Sequence, residues 1–339
     1  MTTPRPDRPR VTFALFAFNQ EGYIREAVEA ALAQSYAPLQ IILSDDVSSD
    51  RTYQIMQQVV AAYDGPHEVI LRQNPFNFGT ALHVQSAFAL SNGALFVVAA
   101  GDDISVPERV EMLVDAWSAA GRPEGVIHSG RERFRDGQTV DWLPAKRVAT
   151  PEDILGGYAQ AQWLPAAAPT CAYTRGVFER FGPLTGGSII EDMPLLLRAA
   201  LIGRFIACDA PLVRQRLHDA HAGTGYTIRA PGRWNRFLLS KIIAFRTMLA
   251  DLARCEDQIP PETYRRVEKR LRAALIAAPA LFLPETRPLG PLARFRLGLR
   301  IVGSATVTGS ILARIDYALS FLDLGFHTRL KARLESRRR

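Results

Sequence analysis

The sequence predicts an α/β fold: a sheet covered by helices on both faces, followed by a helical, basic C-terminal region. Three observations carry this. Short unbroken apolar runs alternate with segments of helical spacing over residues 11–100. Polar and acidic residues follow each of those runs. Residues 229–339 hold 22 Lys and Arg against 9 Asp and Glu, whereas the whole 339-residue chain is only +7, so the front of the chain is acidic and its back strongly basic.

The elements follow in order. Val11 to Phe18 is a continuous apolar run of strand length, the pattern of a strand buried on both faces. Ile24, Ala27, Val28, Ala31 and Leu32 then recur at helical spacing. Leu39 to Leu43 is a second strand, Thr52 to Tyr63 a helix with Ile55, Met56, Val59 and Val60 inward, and Val69 to Leu71 a short third strand. Leu82 to Leu90 is helical and Leu95 to Ala100 is a fourth apolar strand. Ser105-Val-Pro-Glu108 reads as a capping box opening a helix with Val110, Leu113, Val114 and Trp117 inward. Residues 130–190 carry turns and scattered aromatics without a clear period, and another helix starts at Asp192 and runs through Leu195, Leu196, Ala199 and Ile202. Apolar stripes at 237–252, 264–278 and 311–324 predict helices, broken by Pro279, Pro284, Pro288 and Pro291. This divides the chain into a loose tail over 1–10, a domain over 11–228 with halves 11–116 and 117–228, and a helical region over 229–339.

Composition excludes several classes. Hydrophobic residues at 47% and charged residues at 22% are ordinary for a folded protein. The opening MTTPRPDRPR has no apolar run and does not read as a signal peptide. No apolar stretch reaches the roughly 18 residues of a spanning helix. Three scattered cysteines (Cys171, Cys208 and Cys255) with no CxxC argue against a disulfide framework or a zinc site and point to a reducing, cytoplasmic setting. The basic C-terminal part leaves two readings open. It is either a set of solvated or oligomer-forming helix faces, or a surface for an anionic partner such as the cytoplasmic membrane face. No specific nucleic-acid contact is expected.

In a parallel sheet flanked by helices, ligands bind beyond the carboxyl ends of the strands. Asn19 follows the first strand, Asp45 and Asp46 the second, Asn77 and Gly79 the third, and Asp102 and Asp103 the fourth. Adjacent acids at such an edge suit Mg²⁺ or Mn²⁺, which binds one or two carboxylates plus substrate phosphates and can neutralise a departing diphosphate. The alternative is a solvated turn with helix-capping acids. An Asp at position 46 can accept from a pyrimidine N3–H or from ribose hydroxyls, while Ser49 or Asp50 reads as the cap of the helix at Thr52.

Residues 11–116 resemble the nucleotide-sugar-binding half of the family-2 inverting glycosyltransferases, which have the GT-A fold, a Rossmann-like mixed sheet flanked by helices. The matching segments are Phe18-Asn19, Gln34-Ser35-Tyr36, the run Asp45-Asp46-Val47-Ser48-Ser49-Asp50-Arg51-Thr52, Asn77-Phe78-Gly79, and the DXD-like GDDISVP over 101–107. Residues 178–203 are similar to the acceptor-side segment of that family, and 212–221 to its Arg-x-His segment. The resemblance implies that Ala17 (through its backbone) and Asp46 hold the base, with Asn19, Asn77 and Gly79 also lining the donor. It implies Asp102 on the ribose, Asp103 on the metal, and Asp192 as catalytic base. It further implies Glu191 as an acceptor contact and His218 as a contact to metal or diphosphate. A UDP-sugar is favoured, with thymine or guanine donors open. The acceptor would be a glycan or lipid-linked hydroxyl in cell-surface polysaccharide assembly.

Departures from the family pattern are Val47 where a glycine is usual, so that this turn is expected to avoid a positive φ, and Ala100 where a longer acidic motif has its first Asp. The motif of processive synthases is absent at Arg233-Trp234. Trp142, Trp163 and Tyr173 are read as core residues that alternatively stack on sugars, and His221 as an incidental side chain. A nucleotidyltransferase lacks its basic Gly-rich loop here, and a dehydrogenase its GxGxxG. The remaining rival is a non-catalytic nucleotide-sugar-binding regulator, or a protein that binds nucleic acid or membrane through its basic end.

Overall fold

The computed structural model describes residues 8–147, 166–218 and 231–278. These fall into two compact units, the first ending at Leu217 and the second beginning at His218.

The first unit is built on a nine-stranded sheet of order β3-β2-β1-β4-β8-β6-β9-β5, with β7 paired to β6. Four strands, β1 (Val11–Ala17), β2 (Leu39–Asp45), β3 (Glu68–Gln73) and β4 (Leu95–Ala100), run parallel. β6 (Gly125–Arg135) and β9 (Arg204–Arg216) are also parallel to each other, whereas β8 (Cys171–Thr174) runs antiparallel between β4 and β6. The short β5 (Ile104–Ser105) pairs with the far side of β9, and β7 (Gln138–Leu143) forms a hairpin with β6.

Strand alternation sends residues to two cores. Val11, Phe13, Leu15, Ile41 and Leu43 meet α1 (Ile24–Leu32), α2 (Thr52–Ala61) and α4 (Arg109–Ala119) on one face. Ala14, Ile42, Phe96 and Val98 meet α3 (Gly79–Phe88), α5 (Gly176–Glu179) and α6 (Asp192–Ile202) on the other. Being covered on both faces is why β1, β2 and β4 read as unbroken apolar runs. The second unit contains α7 (Pro231–Ala253) and α8 (Pro261–Ala277), with Leu238, Phe245, Met248 and Leu252 of the first and Val267 and Leu271 of the second buried.

Several expectations need correction. The capping box at Ser105–Glu108 does not form: Glu108 is the N-cap without a side-chain bond, and Ser105 is a strand residue whose Oγ accepts from Arg109. Neither Ser49 nor Asp50 is the N-cap of α2. Arg51 holds that place, and Asp50 Oδ1 accepts the Thr52 N–H from one position earlier. Val47 does adopt a positive φ, +62°, despite its branched side chain. Asp45 is the physical reason, because it accepts Ser48 N–H at 2.9 Å and the Ser48 hydroxyl as well and so folds the turn around Val47. Trp142 is 51% exposed on β7 and is no core residue, while Tyr173 is fully buried. The boundary placed at 228/229, the helix at 311–324, Trp163 and His221 lie outside the described residues.

Candidate active site

Register levels the carboxyl edge of the parallel strands: Gln73, Asp45 and Ala17 are neighbours across β3, β2 and β1, and Phe16 pairs with Ala100 of β4. Strand order reverses between β1 and β4, and the crevice beyond such a switch point is where open α/β sheets take ligands. Gly101 closes the turn after β4, its N–H bonded to Phe16 O at 2.8 Å. A Cβ there would lie 2.5 Å from Gln20 Oε1, the movable end of a side chain, and 3.1 Å from Phe16 O, so a larger residue would push on both.

Asp102 and Asp103 leave this turn pointing into the protein, only 6% and 5% exposed. Asp103 Oδ1 accepts the backbone N–H of Arg216 at 2.9 Å, and its Oδ2 is buried without a hydrogen-bond partner. Burial, then the neighbouring Asp102 charge, pushes the Asp103 carboxyl well above the usual range. An orphaned buried carboxylate oxygen beside a second carboxylate is a donor set that suits a hard divalent cation. Among the described residues no three His, Cys, Asp or Glu side chains gather as a metal cage. The pair fits Mg²⁺ or Mn²⁺ completed by phosphates and water.

Two arginines at this turn escaped sequence reasoning. Arg109 is completely buried, donating to Val98 O at 2.8 Å, Pro169 O at 2.6 Å and Ser105 Oγ at 2.9 Å. Burial brings its pKa down to about 10. Arg216, at the end of β9, donates from Nε to Asp102 O at 3.2 Å and pairs with Glu26 at 3.0 Å. The rings of Tyr23 and Phe134 lie 5.0 and 4.6 Å from its guanidinium. The signal for Arg216 was present, as the Arg of the Arg-x-His segment. None existed for Arg109, which reads as a surface residue beside an apolar stripe.

The donor-side residues come together on the same edge, held mostly by each other. Ala17 O accepts Asp46 N–H at 2.9 Å. Asn19, at φ +52°, takes Ser49 N–H at 2.8 Å, and its own N–H goes to Ser48 Oγ at 2.8 Å. Asp46 accepts from Phe78 N–H at 2.8 Å, Gly79 N–H at 3.0 Å and Asn74 Nδ2 at 2.6 Å, and Asn77 Nδ2 donates to Asp46 O at 3.1 Å. Gln34 explains its own motif: Nε2 donates to Val106 O at 2.8 Å and Oε1 accepts Val110 N–H at 3.1 Å, fixing the segment after the acidic pair.

On the acceptor side, Asp192 opens α6, whose N-terminus favours a negative charge, and its Oδ1 accepts the Met193 N–H at 2.8 Å. Glu191 is half-buried, and burial plus the Asp192 charge push it up to about 8. His218, the last residue of the Arg-x-His segment, is half-buried and belongs to the second unit.

The glycosyl transferase family 2 model matches residues 12–181, half of the chain. The chain belongs to this family. It is similar to the succinoglycan biosynthesis protein ExoO of Rhizobium meliloti, 26% identical over 182 residues, or 53% of this chain and 51% of that protein. Against three curated relatives, ExoO among them, it spans 37%, 66% and 51% of their length. Residues 1–349 of TarS from S. aureus, solved in complex with UDP-GlcNAc, superpose with a TM-score of 0.59 at 12% identity, covering 92% of this chain and 83% of that one. A mannosyltransferase from Pyrobaculum calidifontis in complex with GDP-Man and Mn²⁺ gives 0.50 at 14% identity, covering 98% and 81%. This family 2 glycosyltransferase thus has the GT-A fold, and its curated relatives include a succinoglycan biosynthesis protein.

Proposed function

We propose that this glycosyltransferase moves a sugar from a nucleoside-diphosphate donor to a glycan or lipid-linked hydroxyl, with inversion, in cell-surface polysaccharide assembly. The observation that carries this is the buried Asp102–Asp103 pair at the switch point, with one carboxylate oxygen unsatisfied. Asp103, with Asp102 beside it, would hold a divalent cation. When bound, Mg²⁺ or Mn²⁺ supplies positive charge against the leaving diphosphate. Asp192 takes the acceptor proton in a single in-line displacement, a contribution of about 10²–10⁴-fold. Glu191 keeps its proton at neutral pH and donates a hydrogen bond to the acceptor.

A thermal-shift panel of UDP-, dTDP- and GDP-sugars with and without Mn²⁺ tests the donor site on wild type and Asp103→Asn. A ligand at 100 times its Kd stabilises by about 2.7 kcal/mol. A metal-dependent shift with at least one donor, lost in the variant, is expected. No shift with any donor would leave a non-catalytic role as the better reading.

The enzyme works at the cytoplasmic face of the membrane as a peripheral protein. Support comes from α8, which exposes Arg265, Arg266, Lys269 and Arg272 together with Ile276, itself 80% exposed. Each such cation adds about 1 kcal/mol of attraction near an anionic surface. Co-sedimentation with phosphatidylglycerol-containing vesicles at low salt is expected, and its absence would sink this placement.

A further inference from the structure

The arginines around the acidic turn are engaged by the chain, with one exception. Arg109 donates to Val98 O, Pro169 O and Ser105 Oγ, and Arg216 to Asp102 O and Glu26. Arg214 pairs with Glu132, and Arg133 grips both carboxylate oxygens of Asp141 across the β6–β7 hairpin. Arg131 is different. Half-buried on β6, between Leu143 of β7 and Val213 of β9, it makes no hydrogen bond or ion pair among the described residues, and its Nε is buried.

A guanidinium carries its donors in a fixed fork and does not shed its charge. Taking one out of water without a partner is costly. Burial, then the Arg133 charge, lowers the Arg131 pKa, while Asp103 and Asp141 act the other way. Those two carboxylates have other work. Asp141 is held by Arg133, and Asp103 takes the Arg216 N–H on one oxygen and leaves the other without a bond. A polar group kept buried and unbonded in this way is matched to a ligand with acceptor oxygens.

Its place narrows the ligand. Arg131 is within electrostatic reach of Asp103, and the fully buried Cys171 is within reach of both Arg131 and Asp192. Arg131 thus stands between the turn read as holding the diphosphate and the residue read as catalytic base. On a nucleoside-diphosphate sugar, the group between those two points is the sugar. Sugar hydroxyls can be served by neutral amides and need no desolvated cation. A carboxylate matches both the charge and the planar fork.

We infer that Arg131 is a specificity residue that takes the carboxylate of an acidic sugar, so that the group transferred is a uronic acid. The inference rests on the reading of this site as a nucleotide-sugar site with Asp103 at the diphosphate.

The test is calorimetry on the full chain with Mn²⁺. UDP-glucuronate is compared with UDP-glucose and GDP-mannuronate with GDP-mannose, with UDP and GDP alone as controls. In at least one pair the acidic sugar should bind about tenfold tighter than the neutral one, the size of a single charge-assisted contact. Arg131→Met should erase that ratio and leave affinity for the bare nucleotide within about twofold. Arg131→Lys keeps the charge and loses the fork, so it should restore only part of the ratio. Because Arg131 bonds to no described residue, Arg131→Met should melt no lower than wild type. A clear drop in Tm would mark a structural guanidinium and overturn the inference. Equal affinity for acidic and neutral sugars in both pairs also overturns it. So does a matching loss of bare nucleotide in Arg131→Met, which would assign the guanidinium to the diphosphate. Absence of nucleotide binding by the wild type overturns the donor-site reading and this inference with it.

Discussion

The backbone carbonyl of Ser188 accepts the N–H of Ala81 at 3.1 Å. This bond ties the start of α3, just past the donor-side loop, to the segment that leads into Glu191 and Asp192. Gly79 lies between, at φ +69°, where a Cβ would stand 3.3 Å from the same Ser188 oxygen. Gly79→Ala therefore meets both left-handed strain, about 1–2 kcal/mol, and a close contact on the acceptor segment. Expected are a Tm lower by several degrees and a loss in transfer rate beyond what the lost donor affinity explains. A variant that melts and turns over like wild type would remove the link between the two halves.

Glu191 and Asp192 should separate cleanly in kinetics. Asp192→Asn is expected to lower kcat by at least about 10²-fold with donor binding retained. Glu191→Gln, which imitates the neutral acid, should cost far less at pH 7. Equal losses would reverse the assignment.

Glu191 also predicts a pH signature. Its folded-state pKa, about 8, lies above the ordinary carboxyl value of 4.5, so the native state holds a proton that the unfolded state gives up. Stability from this group is therefore complete below about pH 4.5 and falls as pH rises through about 8. Melting curves of Glu191→Gln against wild type should diverge in favour of the variant across that window and run parallel above it.

His83 and His128 act in the opposite direction. Both are buried, and desolvation lowers each from 6.5 to about 4. Here the unfolded state takes protons first, so stability is lost as pH falls from about 6.5 to about 4. His128 has neither ring nitrogen hydrogen-bonded and sits 6.4 Å from the Phe205 ring. His128→Phe should flatten the acid limb of a Tm–pH profile, and an unchanged limb would place the proton uptake elsewhere.

Val47→Gly should stabilise the protein. A branched residue at φ +62° carries about 1–2 kcal/mol of strain, partly offset by the greater freedom of glycine in the unfolded chain, about 0.5–1 kcal/mol. A gain of up to about 1 kcal/mol in urea unfolding is expected, and a loss would show that the Val47 side chain contributes contacts of its own.

Much of the structure over residues 11–116 was legible because its physics is local. β1, β2 and β4 are apolar on both faces, and α1 repeats its buried positions Ile24, Ala27, Val28, Ala31 and Leu32 at helical spacing. The later strands were not, because β6 and β9 mix Arg, Glu and Gln into their outer stretches where only one face is covered. Candidate residues were legible where a type of side chain announces its chemistry, as at the buried pair Asp102 and Asp103. Their surroundings were hidden, since the reach of Arg216 and the burial of Arg109 arise from strands far apart in sequence. The conformation of Val47 was misjudged for a related reason: the hydrogen bonds of Asp45 overrode the preference of the residue itself.

The placing of β9 between β6 and β5 has a consequence for how the chain is made. The parallel strands β1 to β4 have all been synthesised by Ala100, whereas β5 must wait for Val213 and Arg214. Asp103 waits longer still, for a partner 113 residues downstream. At about 5–20 residues per second, that interval on the ribosome is several seconds or more. During it β4 also has one bare edge, since its other neighbour β8 spans Cys171–Thr174, and the acidic turn has no β9 beside it. The surroundings of the acidic turn are therefore completed only when the end of β9 joins the sheet.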